Sequence, residues 1–274
     1  VAMRIRVVLI ALSVVVANGC APTRTTSTGA VGVDREQMML VSSAEVNRSA
    51  EKAYAQTIQE ARAKNRLNRD PGQVQRVRSI AGRLIPQTAV FRNDAPGWRW
   101  ETNVISSDDL NAWCMPGGKM AVYTGLIPVA QNADAVAVVM GHEIAHALLR
   151  HGAQRMSQQK LTQIGQMAGA MSGMDPQQQQ MVMAAMGYGY LLPYAREHET
   201  QADEVGLMLA AAACFNPQEA VPLWQRMSEA SGGQAPPEFS STHPNPGTRI
   251  QNLTALMPKA MAYRAKFCPQ GAAQ

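Results

Sequence analysis

One hexapeptide restricts this chain more than anything else in it: Gly141-His142-Glu143-Ile144-Ala145-His146. Two histidines four residues apart sit one turn apart on a helix, because 3.6 residues complete a turn. The flanking residues agree with a helix. Val136, Met140, Ile144, Ala147 and Leu148 recur along one face and can anchor it in a core, while Val138, His142 and His146 recur on the opposite side. Two imidazoles so placed can share a tetrahedral zinc ion, with Glu143 beside it, where it can take a proton from an attacking water. With only 5 His in 274 residues, chance produces the pattern about four times in a thousand. The metal reading therefore outweighs that of two unrelated surface histidines.

Catalytic zinc usually has three protein ligands and one open position, so a third donor must come from elsewhere in the chain. The best source is Tyr194-Ala195-Arg196-Glu197-His198-Glu199-Thr200-Gln201-Ala202-Asp203. Glu199 and Asp203 are again four apart. Glu199 is expected to bind the metal, and Asp203 to accept a hydrogen bond from a ligand histidine and fix its tautomer. His198, about 100° round the helix from Glu199, is the alternative ligand. His151, on the turn after His146, reads as a solvated helix-end residue that favours the helix dipole.

The rest of the chain supplies the frame. At 274 residues and 46% hydrophobic it can build one large domain or two small ones, with a real core. Arg4 and Arg6, a ten-residue apolar run over residues 7–16, and Ala17-Asn18-Gly19 before Cys20 read as a secretory signal peptide covering residues 1–19. The Gly19-Cys20 junction resembles a lipobox, which makes Cys20 the expected lipidation site. Residues 20–35 then read as a flexible tether and residues 36–274 as the folded domain. Without the leader the net charge of +5 falls to about +3, and no basic run supports nucleic-acid binding.

Periodicity predicts helices over residues 36–68 and 73–85, broken by Asp70-Pro71-Gly72 and ended by Pro86. Strand-like segments follow over 98–105, 112–115 and 119–123, the last two flanking Pro116-Gly117-Gly118. Helical pattern resumes from Asn132, including a Met- and Gln-rich stretch around residues 167–186 read as a packed helical hairpin. A Ser/Gly/Pro-rich loop spans 231–247, and two short helices are expected over 248–257 and 259–267. This is an α+β domain, mainly helical with one small sheet. Cys214 and Cys268, both in the carboxy-terminal third, are the plausible disulfide pair, leaving Cys114 free.

His-Glu-x-x-His followed by the Arg196-Glu197-x-Glu199-x-x-Ala202-Asp203 segment resembles the HtpX-like zinc metallopeptidases, which include the CAAX prenyl endopeptidases. Asn111-Ala112-Trp113-Cys114-Met115-Pro116-Gly117-Gly118 resembles that family's edge strand. Ser241-Thr242-His243-Pro244 with Arg249 is similar to its C-terminal segment. The resemblance implies a gluzincin fold with a small sheet lining the active-site cleft, and one zinc per chain. His142, His146 and Glu199 would be its ligands, Glu143 the general base and acid, and Asp203 a support. His243 would stabilise the oxyanion, occupy the open zinc position, or simply order a turn together with Arg249. The strand carrying Asn111, Ala112, Trp113, Pro116 and Gly117 would bind an unfolded peptide by strand addition.

A short domain behind a lipobox resembles the family's periplasmic lipoprotein branch, without the tetratricopeptide extension that some members carry. The expectation is therefore an endopeptidase of misfolded or unassembled envelope proteins, held to a membrane by its N-terminal lipid, in the periplasm and at the outer membrane. The alternative is a membrane-tethered chaperone or assembly factor with a structural zinc site. An intact Glu143 favours the enzyme, since a structural site needs no base.

Overall fold

The computed structural model describes residues 22–24, 36–187, 192–230 and 248–268. The expected leader, the lipidation site Cys20 and the candidate His243 lie outside the described residues.

Two short strands, β1 (Pro22–Arg24) and β2 (Glu36–Met38), pair antiparallel, so the helix expected from residue 36 starts later. It is α1 (Ser43–Ala63), whose first turn is capped by Ser42 accepting from the Glu45 amide. The apolar residues around its start make a contact with the later helix His151–Met171: Val41 and Val46 cluster with Ala153, and the Leu40 amide donates to Ser157 Oγ. Helix α2 (Pro71–Gln87) begins on Asp70, whose side chain accepts from the amides of Gly72 and Gln73. The Asp-Pro-Gly triplet is thus a helix start, since a proline in the first turn forfeits no bond. Pro86 does not end the helix at its own position, because in the last turn it removes a bond without disturbing the turns above.

Strands β3 (Glu101–Ile105), β4 (Ala112–Met115) and β5 (Lys119–Tyr123) form a sheet in the order β3-β5-β4. β3 runs parallel to β5, and β4 antiparallel to it with Ala112 opposite Val122. β4 is therefore an edge. Trp98 and Trp100, expected in the first strand, stack on each other before it, with Trp100 Nε1 donating to the Ala95 carbonyl. Gly117, at φ 83°, and Gly118, at φ 86°, form the turn between β4 and β5.

Helices α3 (Leu126–Ala130), α4 (Ala133–Leu148), α5 (His151–Met171), α6 (Pro176–Met186), α7 (Leu192–Ala212), α8 (Ala220–Ala230) and α9 (Arg249–Phe267) complete the described fold. α5 and α6 pack as the expected hairpin, but Met167, Met171 and Met181 are exposed rather than buried in it. The last helix is one piece, not two. Pro258 costs it a bond, while Leu253 and Ala260 on either side are buried in the common core and hold both halves to it. Cys214 and Cys268 form a disulfide that ties the end of α9 to the end of α7.

α4 carries the decisive hexapeptide and lies at the centre. Asn132 caps it by accepting from the Ala135 amide, and every residue from Ala135 to Leu148 is buried, so the imidazole side is covered as fully as the apolar face. The cover comes from α7, which α4 crosses at two glycines. A Cβ at Gly206 would lie 2.6 Å from the His142 backbone nitrogen, and one at Gly141 would lie 2.7 Å from the Gly206 carbonyl oxygen. Backbone meets backbone there, and neither helix can yield.

Gly206→Ala should therefore lower unfolding stability by about 1–3 kcal/mol through overpacking. Gly82→Ala, in α2 with no atom within 4 Å of its would-be Cβ, should raise it by about 0.5–1 kcal/mol. Thermal and denaturant melts of the two variants check the sign. An unaffected Gly206→Ala protein would show that the helix contact is not tight.

Candidate metal centre

The glycine crossing brings His142 and His146 of α4 against Glu199 of α7. His142 Nε2 lies 3.0 Å from His146 Nε2 and 3.3 Å from Glu199 Oε2, and His146 Nε2 lies 3.4 Å from Glu199 Oε1. A tetrahedral zinc with bonds of 2.0–2.2 Å separates its ligand atoms by about 3.3–3.6 Å. The three side chains thus stand at nearly the spacing a zinc ion would impose. Among the described residues they form the group of His, Cys, Asp and Glu side chains able to hold a metal.

Each imidazole is held from behind. His142 Nδ1 lies 2.9 Å from Asp203 Oδ1, the contact expected from the four-residue spacing of Glu199 and Asp203. Asp203 also accepts from Arg249 Nη2, Arg249 Nη1 is 3.7 Å from Glu199 Oε2, and the guanidinium lies 3.6 Å over the Trp224 ring. Arg249 is thereby placed at the centre itself, buried between Glu199 and Asp203 of α7.

His146 Nδ1 faces His151 Nδ1 at 2.8 Å, and His151 Nε2 faces Gln201 Oε1 at 3.1 Å. This corrects the reading of His151 as a solvated residue: its exposure is 0%. A continuous helix would put residue 151 about 140° round from residue 146. Arg150, at φ 59° and ψ 29°, instead ends α4 in a left-handed turn, and the first residue of α5 folds back beneath His146. His198, the alternative ligand, stacks on His151 with ring centroids 4.1 Å apart and planes 11° from parallel, and is not part of the metal-holding group.

The electrostatics favour a cation. Glu143, Glu199, Asp203 and Arg249 are all buried, so three carboxylates formally face one guanidinium, an excess that a divalent ion balances. In the metal-free protein a proton takes that place in part. Burial and the Arg249 charge oppose protonation of His142, but hydrogen bonds to Asp203 and Glu199 prevail and lift it to about 9. Burial, with the neighbouring His146 and His198, keeps His151 well below its ordinary value, and burial together with the Arg155 charge brings His198 down to about 4.

Glu143, 3% exposed, is near enough to β4 for its charge to act on Cys114: burial first, and then Glu143, push that thiol upward. Cys114 is therefore no thiolate nucleophile at neutral pH. β4 packs along α4, so the expected edge strand does lie beside the centre. Its residues divide between two faces, however. Ala112 joins the main core and Cys114 packs on it, whereas Trp113 turns to the other side and meets Tyr54 edge-on at 6.1 Å. Trp113 offers the centre its backbone only. Asn111 accepts the Tyr123 amide through its carbonyl, and Pro116 and Gly117 line a groove of about 430 Å3 with Trp98, Arg99 and Arg150.

Metal uptake should be coupled to protons. With a value of about 9, His142 carries its proton at pH 7, and binding a metal must release it. Because that value lies above the ordinary 6.5, protonated His142 stabilises the metal-free fold below pH 6.5, and this contribution is lost as pH rises through about 9. Calorimetry of zinc binding at pH 7, in buffers of different ionisation enthalpy, should report about one proton released from this site per ion. Heats independent of the buffer would contradict the assignment.

Comparison with known proteins meets the same residues. The model of peptidase family M48 matches residues 71–257, more than half of the chain. The chain is 37% identical over 169 residues to the mitochondrial metalloendopeptidase OMA1 of Schizosaccharomyces pombe, covering 61% of this chain and 49% of that protein. To the human mitochondrial metalloendopeptidase OMA1 it is 33% identical over 191 residues, covering 64% and 36%. To the beta-barrel assembly-enhancing protease of Escherichia coli it is 27% identical over 204 residues, covering 70% and 40%. The chain spans half or less of the length of these relatives. Their identities also correct the expected location: the stronger matches are mitochondrial proteins, which overturns the assignment to the periplasm and outer membrane. With the family match running through both helices that build the centre, the chain belongs to peptidase family M48, the zinc metallopeptidases.

Proposed function

We propose that this protein is a zinc-dependent endopeptidase that cuts unfolded, misfolded or unassembled polypeptides by direct attack of water. The observation that carries the reading is a buried Glu143 next to a His142, His146 and Glu199 set whose spacing suits zinc. Those three side chains hold one ion, which when bound supplies Lewis acidity to the scissile carbonyl and to the attacking water. Glu143 takes the proton of that water and returns it to the departing amine. Asp203 fixes the ring of His142, and Arg249 holds Asp203 in place while limiting the negative charge around the centre. His243 has the motif position of an oxyanion donor or a ligand for the open position.

Substrate binds along the outer edge of β4, which among the described residues pairs only with β5 and so has one side to offer an added chain. Such pairing uses backbone hydrogen bonds and tolerates most sequences, which suits a substrate defined by lack of structure. The names of the relatives agree in class: two are metalloendopeptidases, and the Escherichia coli protein is a protease that enhances assembly. The finer likeness to the HtpX-like branch rests on its three motifs. A purely structural ion would have no use for Glu143 at its present position.

Cleavage of casein by the metal-loaded protein tests the proposal. Glu143→Gln should lower the rate about 10²–10⁴-fold while keeping its zinc, and a chelator should abolish cleavage by the wild type. Equal cleavage in all three samples would remove the endopeptidase reading.

A further inference from the structure

The two candidate ligand histidines are oriented by unlike partners, and the difference carries chemical information. His142 has a carboxylate behind it, Asp203. His146 has another imidazole, that of His151, at the end of a chain of hydrogen bonds returning to α7. We infer that His151 is a positioning residue, whose ring holds His146 in the one tautomer that turns an unprotonated Nε2 toward the metal position. This rests on reading His146 as a ligand.

The proton positions follow step by step from groups that can act in only one way. Gln201 Nε2 donates to Glu197 Oε1 at 3.2 Å, and a carboxylate oxygen only accepts, so the amide orientation is set. Gln201 Oε1 then faces His151 Nε2 at 3.1 Å and must receive its proton. A neutral His151 protonated on Nε2 presents a lone pair on Nδ1. His146 Nδ1, at 2.8 Å, must therefore be the donor. That leaves His146 Nε2 unprotonated, at the nitrogen that stands 3.4 Å from Glu199 and 3.0 Å from His142 Nε2. A proton on His151 Nδ1 would reverse the last link and put hydrogen where the metal belongs.

The surroundings hold this arrangement in place. His151 is fully buried, and the parallel stack with His198 fixes its ring plane. α7 thus supports the two histidines through two pairs of residues four apart. Glu199 and Asp203 serve His142, and Glu197 and Gln201 serve His146 by way of His151. A neutral acceptor in the second position also spares a centre that already has three carboxylates from a fourth.

The test is histidine nitrogen NMR on the full chain, metal-free and zinc-loaded, joined to zinc affinities from competition with a chromophoric chelator. His146 should carry its proton on Nδ1 and His151 on Nε2 in both states. His151 protonated on Nδ1, or metal-free His146 protonated on Nε2, would overturn the inference. His151→Phe fills the ring's space without an acceptor and should weaken zinc binding about 10–100-fold. His151→Asn places an acceptor near Nδ1 and should bind close to wild type. Should the Phe variant not fold, Gln201→Leu removes the acceptor that orients His151 and should also weaken zinc, and the wild-type spectra need no variant. Equal affinity in all variants would overturn the role of His151 alone, whereas a wild type that binds no zinc would overturn the metal reading itself.

Discussion

The centre depends on how closely two helices approach. At Gly141 and Gly206 the backbones of α4 and α7 touch, with no side chain between them. That contact sets the separation of His142 and Glu199 before either side chain chooses a rotamer. One methyl group on either glycine would have to move backbone, and ligand spacing of 3.0–3.4 Å leaves little room for it. The helix crossing, more than any property of the ligands, converts two sequence motifs separated by more than fifty residues into one site.

Closeness has an electrostatic cost. Burying Glu143, Glu199 and Asp203 together removes three carboxylates from water, and Arg249 compensates for one of them. Arg249 itself lies over the ring of Trp224 of α8, so the third helix of the centre is fixed by a cation–π contact as well as by ion pairs. The remaining excess of negative charge is what makes the cluster a place for a divalent ion. In the metal-free protein two of the same carboxylates, Asp203 and Glu199, raise His142 above the ordinary imidazole value, against burial and the Arg249 charge. Fold and cofactor are linked through this balance, and what destabilises the one weakens the other.

Much of the centre was readable beforehand because helical spacing is rigid. The four-residue steps of His142 and His146, and of Glu199 and Asp203, demand that each pair share a face, and both pairs do. What escaped was governed by backbone conformation and by tertiary neighbours. Nothing in Leu149-Arg150-His151 announces a left-handed turn at an arginine, so His151 was assigned to solvent when it lies beneath His146. Gly206 carried no sign of its partner, although a glycine amid Val205, Leu207 and Leu209 is a signal of close approach. Pro258 stands inside α9, because packing on both sides sustains a helix that local propensity would end. Trp113 shows the limit of a motif: its strand sits where expected, but the pleat sends its side chain away. The leader-like N-terminus invited a compartment that the mitochondrial relatives do not share.

The central claim is that two imidazoles and one carboxylate, His142, His146 and Glu199, grip a single zinc ion. X-ray absorption at the zinc edge of the loaded protein tests it most directly. The account predicts nitrogen and oxygen donors alone, at about 2.0–2.2 Å, with scattering from two imidazole rings. Sulfur at about 2.3 Å, or scattering from a single ring, would contradict it.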